Sequence, residues 1–227
     1  MPPSDGHDWI SISHLPNEDP SDADPAGSEE SRDFIAAREY GAGHVLVDAQ
    51  DGLTRDDEIR GKGRDNLVFA ENALRWLAGS TGGPGCPTGT TILLWEGTFV
   101  PARAMTSVKA IIASRGWSLA VASPDRLEDE LRCAAVLWYV SDWEPPPGFA
   151  TTHVPLIERF VRAGGGLLAG GLGWSYVDQG AQILGLAPGV ALPPYAANEL
   201  GEPFGFAFTT DAFRADPNQP IPLLTGR

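Results

Sequence analysis

The feature that most constrains this chain is an alternation over residues 91–170, where four short apolar runs are separated by three stretches of helical periodicity. The runs are "TILLW" (91–95), "WSLAVA" (117–122), "CAAVLWYV" (133–140) and "GGLLAGG" (165–171). Each reads as a strand, with "TILLW" and Gly166 to Gly170 as buried ones. Between them, "PARAMTSVKAIIASRG" sets Met105, Val108, Ile111 and Ile112 at helical spacing, and a short segment after Ser123-Pro124 carries Leu127 and Leu131. "TTHVPLIERFVRAG" then places Val154, Ile157, Phe160 and Val161 on one face. Pro101 opens the first helix, and Gly116 and Gly164 stop the first and last. Strand alternating with helix predicts a parallel sheet covered on both faces, with right-handed crossovers. Ligands in such sheets bind beyond the carboxyl ends of the strands, which directs attention to the loops 96–98, 141–143 and 170–176.

The flanks are less regular. Residues 1–33 are rich in Pro, Ser, Asp and Glu and hold nine acids against Arg32 alone, so a flexible or loosely packed tail is expected. Within it "WISISHL" (9–15) has the apolar content for one short strand. Residues 34–78 read as a unit preceding the sheet: "FIAARE", "YGAG" and "HVLVDA" form a hairpin, followed by a helix with Leu67, Ala70, Leu74 and Leu77 on one face. Asp65 suits its N-cap and Gly79 its stop. The stretch 79–90, "GSTGGPGCPTGT", is a linker by composition. The α/β domain proper is expected over 90–210, with 211–227 as a second tail.

Lys and Arg total 16 against 30 Asp and Glu, a net charge of −14. Such a chain repels nucleic acid and anionic membrane. No secretory leader and no run long enough to span a bilayer is visible, so a soluble, cytoplasmic protein is expected. Cys86 and Cys133 lack a CxxC partner and read as lone, buried or incidental thiols, with no zinc site.

The glycine-rich "GGGLLAGGLGWSY" (164–176) admits three chemical readings. A dinucleotide cradle needs GxGxxG after the first strand of the unit, whereas Gly171-Leu172-Gly173 follows the last one, and no GxxxxGK[ST] occurs, so no nucleotide cofactor is expected. A nucleophile elbow fits the strand-to-turn placement, but Ser175, the nearest hydroxyl, lacks the final glycine of GxSxG. The third reading is a tight corner made by Gly170, Gly171 and Gly173. At the other strand ends, Glu96 and Asp142, with Glu144, are candidates for acid–base work or a hard cation, although loop carboxylates more often cap or hydrate. Trp95, Trp138, Trp143, Trp174 and Tyr176 lie at or just after the strand ends and could floor a shallow pocket, as in sugar-binding clefts; the alternative is that Trp95 and Trp138 are core and Trp174 plugs the space at the turn. His7, Asp8 and His14 form an acidic-tail array that reads as solvated.

"FVRAGGGLLAGGLGWSY", with "AAVLWYVSDWE" before it and "NELGEPFGFAF" (198–208) after it, resembles the class I glutamine-amidotransferase-like domain found N-terminal in M60-like peptidases and in TRP-channel-associated factors. "YGAGHVLVDAQDGL" and "NLVFAENALRWL" resemble the segment preceding that domain in those proteins, so the likeness runs from about Phe34 to Phe208. It implies a flavodoxin-like, three-layer α/β/α fold. The departures bear on activity: Gly171 stands where the amidotransferase elbow carries its cysteine, and a glycine has no nucleophile to offer. No His-x-Glu pair follows it, Gln50-Asp51-Gly52 replaces the His-containing turn, and none of His7, His14, His44 or His153 begins an HExxH. The expected function is therefore a non-catalytic binding or interaction module taking a protein, small molecule or glycan at the strand ends. The alternative is a hydrolase acting on a carbohydrate or peptide-like substrate through Glu96 and Asp142.

Overall fold

The computed structural model describes residues 10–15, 32–48, 65–79, 91–97, 106–140, 142–171 and 173–208. The expected tails beyond these ranges, the linker over 80–90, Cys86, His7 and Asp8, and the Gln50-Asp51-Gly52 turn lie outside the described residues.

Seven strands form one mixed sheet: β1 (Ile10–Leu15), β2 (Arg32–Tyr40), β3 (Gly43–Asp48), β4 (Thr91–Trp95), β5 (Ser118–Val121), β6 (Ala134–Tyr139) and β7 (Gly166–Gly170). Their spatial order is β1-β2-β3-β7-β6-β4-β5. The β1–β2 and β2–β3 pairs are antiparallel, and the other four pairs are parallel. The hairpin expected from "YGAG" is β2–β3, turning at Gly41, whose φ is +61°. It extends the central sheet, because β3 lies along β7 with Val45 opposite Leu167 and Asp48 opposite Gly170.

Helices cover both faces. Helices α1 (Asp65–Leu77) and α2 (Thr106–Ser114) lie on one side. On the other side lie α3 (Leu127–Leu131), α4 (Val154–Arg162), α5 (Gly173–Ile183) and α6 (Ala196–Gly201). The period of two along each strand divides the core between the faces. Leu46, Ile92, Leu94, Val136, Trp138 and Leu168 face α1 and α2, whereas Val45, Val47, Leu93, Trp95, Leu137 and Tyr139 face the other layer. Each fully buried Leu, Ile or Val contributes about 1.5–3 kcal/mol. Both-sided burial is thus the physical origin of the apolar runs of β4, β6 and β7, whereas β5, at the sheet edge, is largely exposed.

The helix stops fall at glycines in the left-handed region: Gly79 (φ +65°), Gly116 (+71°) and Gly164 (+112°). At Gly166 the need is space, since a Cβ there would lie 2.4 Å from the Leu77 carbonyl oxygen, so the glycine lets the end of α1 approach β7. A π-helical turn, Phe149–His153, precedes α4, with the Val154 amide donating to the Phe149 carbonyl. Pro155 has no N–H to give the Thr151 carbonyl and crowds it, which favours the wider turn at this point.

Cys133 corrects an expectation. It is exposed, just before β6, and is disulfide-bonded instead of being a lone thiol. The absence of a CxxC conceals this, because a disulfide does not need that spacing.

Candidate functional site

The parallel register brings the carboxyl ends of β3, β7, β6 and β4 to one rim, where Asp48 is level with Gly170, and Tyr139 pairs with both Ala169 and Trp95. Along the strands that begin at Thr91 the order reverses between β4 and β6, and a crevice opens outside such a reversal. Asp142 sits there, half-buried. Its Oδ2 accepts from the Trp95 indole Nε1 at 3.1 Å, and its Oδ1 accepts from the Glu144 amide at 3.1 Å. The second bond closes an Asx turn. The Asp142 amide lies 3.3 Å from the Tyr139 hydroxyl, whose pKa stands well above the ordinary phenol range because the ring is buried and the Asp142 charge is near. Asp142 therefore braces its own loop with both carboxylate oxygens. Glu96 follows β4 and is exposed.

His153 packs edge-on to Trp95 (ring centroids 5.5 Å) and stacks on Phe149 (6.0 Å); it is buried, and its Nδ1 has no hydrogen-bond partner among the described residues. The four aromatic and imidazole rings of Trp95, Tyr139, Phe149 and His153 make the floor behind the Asp142 loop.

At the glycine-rich stretch, β7 ends at Gly170 and α5 begins at Gly173. The Gly171 amide donates to the Asp48 carbonyl at 3.1 Å, carrying the ladder one residue past the strand. A Cβ on Gly171 would meet the Phe208 ring at 2.8 Å. The space into which a side chain at 171 would project is thus occupied by Phe208. Asn198 fixes that ring by gripping its backbone: the Phe208 amide donates to Asn198 Oδ1 at 2.6 Å, and Asn198 Nδ2 donates to the Phe208 carbonyl at 3.0 Å. Ser175 is buried in the first turn of α5, away from the turn's apex. The side chain expected to plug this space, that of Trp174, lies outside the described residues.

A line of rings leads from the turn to an open cleft. Phe208 meets Tyr195 edge-on, Tyr195 stacks on Tyr176 at 4.7 Å, and Tyr176 meets Trp143 edge-on at 5.3 Å. The Tyr176 hydroxyl donates to the Pro193 carbonyl at 2.8 Å and so holds the loop that follows α5. Between that loop and the segment after β6 lies a cleft of about 500 Å³, with Trp143 and Phe149 at its base and Glu199 on its wall. Glu199 is half-buried, and its carboxyl pKa is raised by burial and then by the Glu202 charge.

Of the residues singled out from sequence, Asp142, Trp143, Gly170 and Gly171 line this rim, and Trp143 also reaches the cleft. Phe208, Asn198, Glu199, Phe149 and His153 were not foreseen in these positions. The stretch "NELGEPFGFAF" contains three of them, but nothing local to it signals that residue 208 packs on residue 171. Among the described residues, no group of three or more His, Cys, Asp or Glu is placed to hold a metal ion, and no helix is long and apolar enough to cross a membrane.

No family model matches the chain, and no curated protein does. One solved structure to which the chain is weakly similar is that of the IMPa metallopeptidase in complex with T-antigen, at 17% sequence identity and a TM-score of 0.42. The alignment covers 76% of this chain and 18% of that one, so the chain spans less than a fifth of that enzyme's length. A likeness this distant bears on neither ligand nor activity.

Proposed function

We propose that the chain is a non-catalytic, class I glutamine-amidotransferase-like binding module, whose ligand occupies the cleft beside the glycine turn. In this reading the fold is flavodoxin-like, with β5-β4-β6-β7 in the order 2-1-3-4 and the fifth position filled by β3 from the preceding hairpin. The observation that carries the functional reading is the closed elbow: glycine at 171, with the Phe208 ring held over it by Asn198. Substrate, nucleophile and oxyanion donors need a common open space, and here the chain fills that space itself. The hydrolase alternative draws little from Asp142, whose carboxylate oxygens are engaged by Trp95 and Glu144. The cleft, by contrast, has the size and the mainly apolar lining of a small-ligand or peptide-segment site.

A thermal-shift screen of the full chain against glycans, nucleotides, short peptides and divalent cations tests the reading, with Ala150→Trp as the control. Ala150 is exposed on the cleft wall, so an indole there fills the cavity without disturbing the core. The expected result is a stabilising ligand whose shift, about 5–10 °C at a concentration of 100 times Kd, disappears in the variant. Ligands that act equally on both proteins, or that are chemically converted, would count against it.

A further inference from the structure

The cleft's walls and its charges differ in kind. Pro145, Pro146, Leu184 and Leu186 present apolar surface, and among the described residues of the lining the ionisable groups are Glu144 and Glu199, with no basic residue beside them. Residues 179–198, which include one wall, hold no charged side chain, and Ile183 and Val190 stand exposed on that segment. Glu199 is half-buried, and its carboxylate has neither a hydrogen bond nor an ion pair among the described residues. Its electrostatic neighbours are the Tyr139 and Tyr176 hydroxyls and the Glu202 carboxylate.

Three classes of ligand fit this poorly. An acidic one meets two carboxylates and a chain of net charge −14. A neutral apolar one would strip water from Glu199 and leave the charge unpaired. A sugar needs an exposed aromatic face, but Trp143 and Phe149 are each 3% exposed.

We infer that the cleft receives a basic side chain, arginine above lysine, on an otherwise apolar segment of a partner protein, with its cation placed at Glu199. The inference rests on the binding reading of the cleft. The methylene stem of such a side chain lies along leucine and proline while its head keeps a polar partner. A guanidinium is the more weakly hydrated cation and matches a carboxylate with two parallel donors.

Isothermal titration calorimetry of the full chain with acetyl-Pro-Leu-Arg-Leu-Pro-amide, and with the same peptide carrying citrulline in place of arginine, separates charge from shape. The arginine peptide is expected to bind about tenfold more tightly than its citrulline counterpart. Glu199→Gln should remove most of that difference, with its fold verified by thermal unfolding, and Ala150→Trp should remove binding of both peptides. Equal affinities that Ala150→Trp abolishes would overturn the cationic ligand and leave cleft binding standing. Failure of both peptides would overturn it too, and the binding reading would fall with it if the wider screen also found no ligand blocked by Ala150→Trp.

Discussion

Gly171 and Phe208 compete for one volume, and the chain has settled the competition in favour of the ring. Adding a methyl at 171 forces the phenyl away from a position that two backbone hydrogen bonds to Asn198 hold in place. Gly171→Ala is therefore expected to cost about 1–3 kcal/mol, the usual toll of overpacking. In a Phe208→Ala background the same change should cost less than about 0.5 kcal/mol, giving a coupling that urea denaturation of the four proteins measures directly. Simple additivity would mean that the two residues do not share the space. That residue 171 offers no nucleophile was legible in the sequence, because a glycine's chemistry is evident from its identity. The plug was not, since contacts between distant segments leave no local trace. Asp142 is likewise a case of contacts that sequence does not show: its two carboxylate oxygens accept from Trp95 and from the Glu144 amide of the Asx turn.

Among the elements, the buried strands and amphipathic helices were readable from periodicity, because burial on both faces or on one stripe is written directly into residue order. The partner of β3 was not, because a run such as "HVLVD" specifies burial without naming the strand beside it. The π-helical turn before α4 follows from Pro155, though the register by which the chain absorbs a proline depends on packing against Phe149 and His153. One inter-element tie lends itself to titration. Tyr40 on β2 is 4% exposed; its hydroxyl lies 2.8 Å from Glu158 Oε1 on α4 and 3.0 Å from the Pro203 carbonyl, and Arg162 Nη2 donates to it at 2.5 Å. Burial first, then the bond to Glu158, push its pKa up to about 12. The unfolded phenol ionises near 10, so between about 10 and about 12 the folded state holds the proton that the unfolded state has lost, and stability falls as pH rises. Tyr40→Phe should flatten that alkaline slope. It should also cost about 1–2 kcal/mol at neutral pH by leaving Arg162 and Glu158 without the hydroxyl. Denaturant midpoints across pH 8–12 for both proteins check the two effects together; an unchanged slope would contradict the assignment, with Tyr139 and Tyr176 accounting for what remains of it.

At the scale of the molecule, a seven-stranded sheet gathers its parallel strand ends on one rim, closes the turn where such folds often place a nucleophile, and leaves a cleft open beside it. The line of rings from Phe208 through Tyr195 and Tyr176 to Trp143 joins the closed turn to the open cleft, so one aromatic set serves as both plug and floor. That the parallel strand ends gather on one rim was deducible from the alternation of strand and helix alone. The cleft was not, because its walls come from segments far apart in sequence and its base is a tryptophan already buried. The account stands most directly on hydrogen–deuterium exchange of the full chain with and without a ligand that stabilises it, together with the mass of that ligand recovered after incubation. Protection confined to residues 142–151 and 184–199, with the ligand unchanged, is the predicted result; protection centred elsewhere, or a ligand recovered as product, would contradict it.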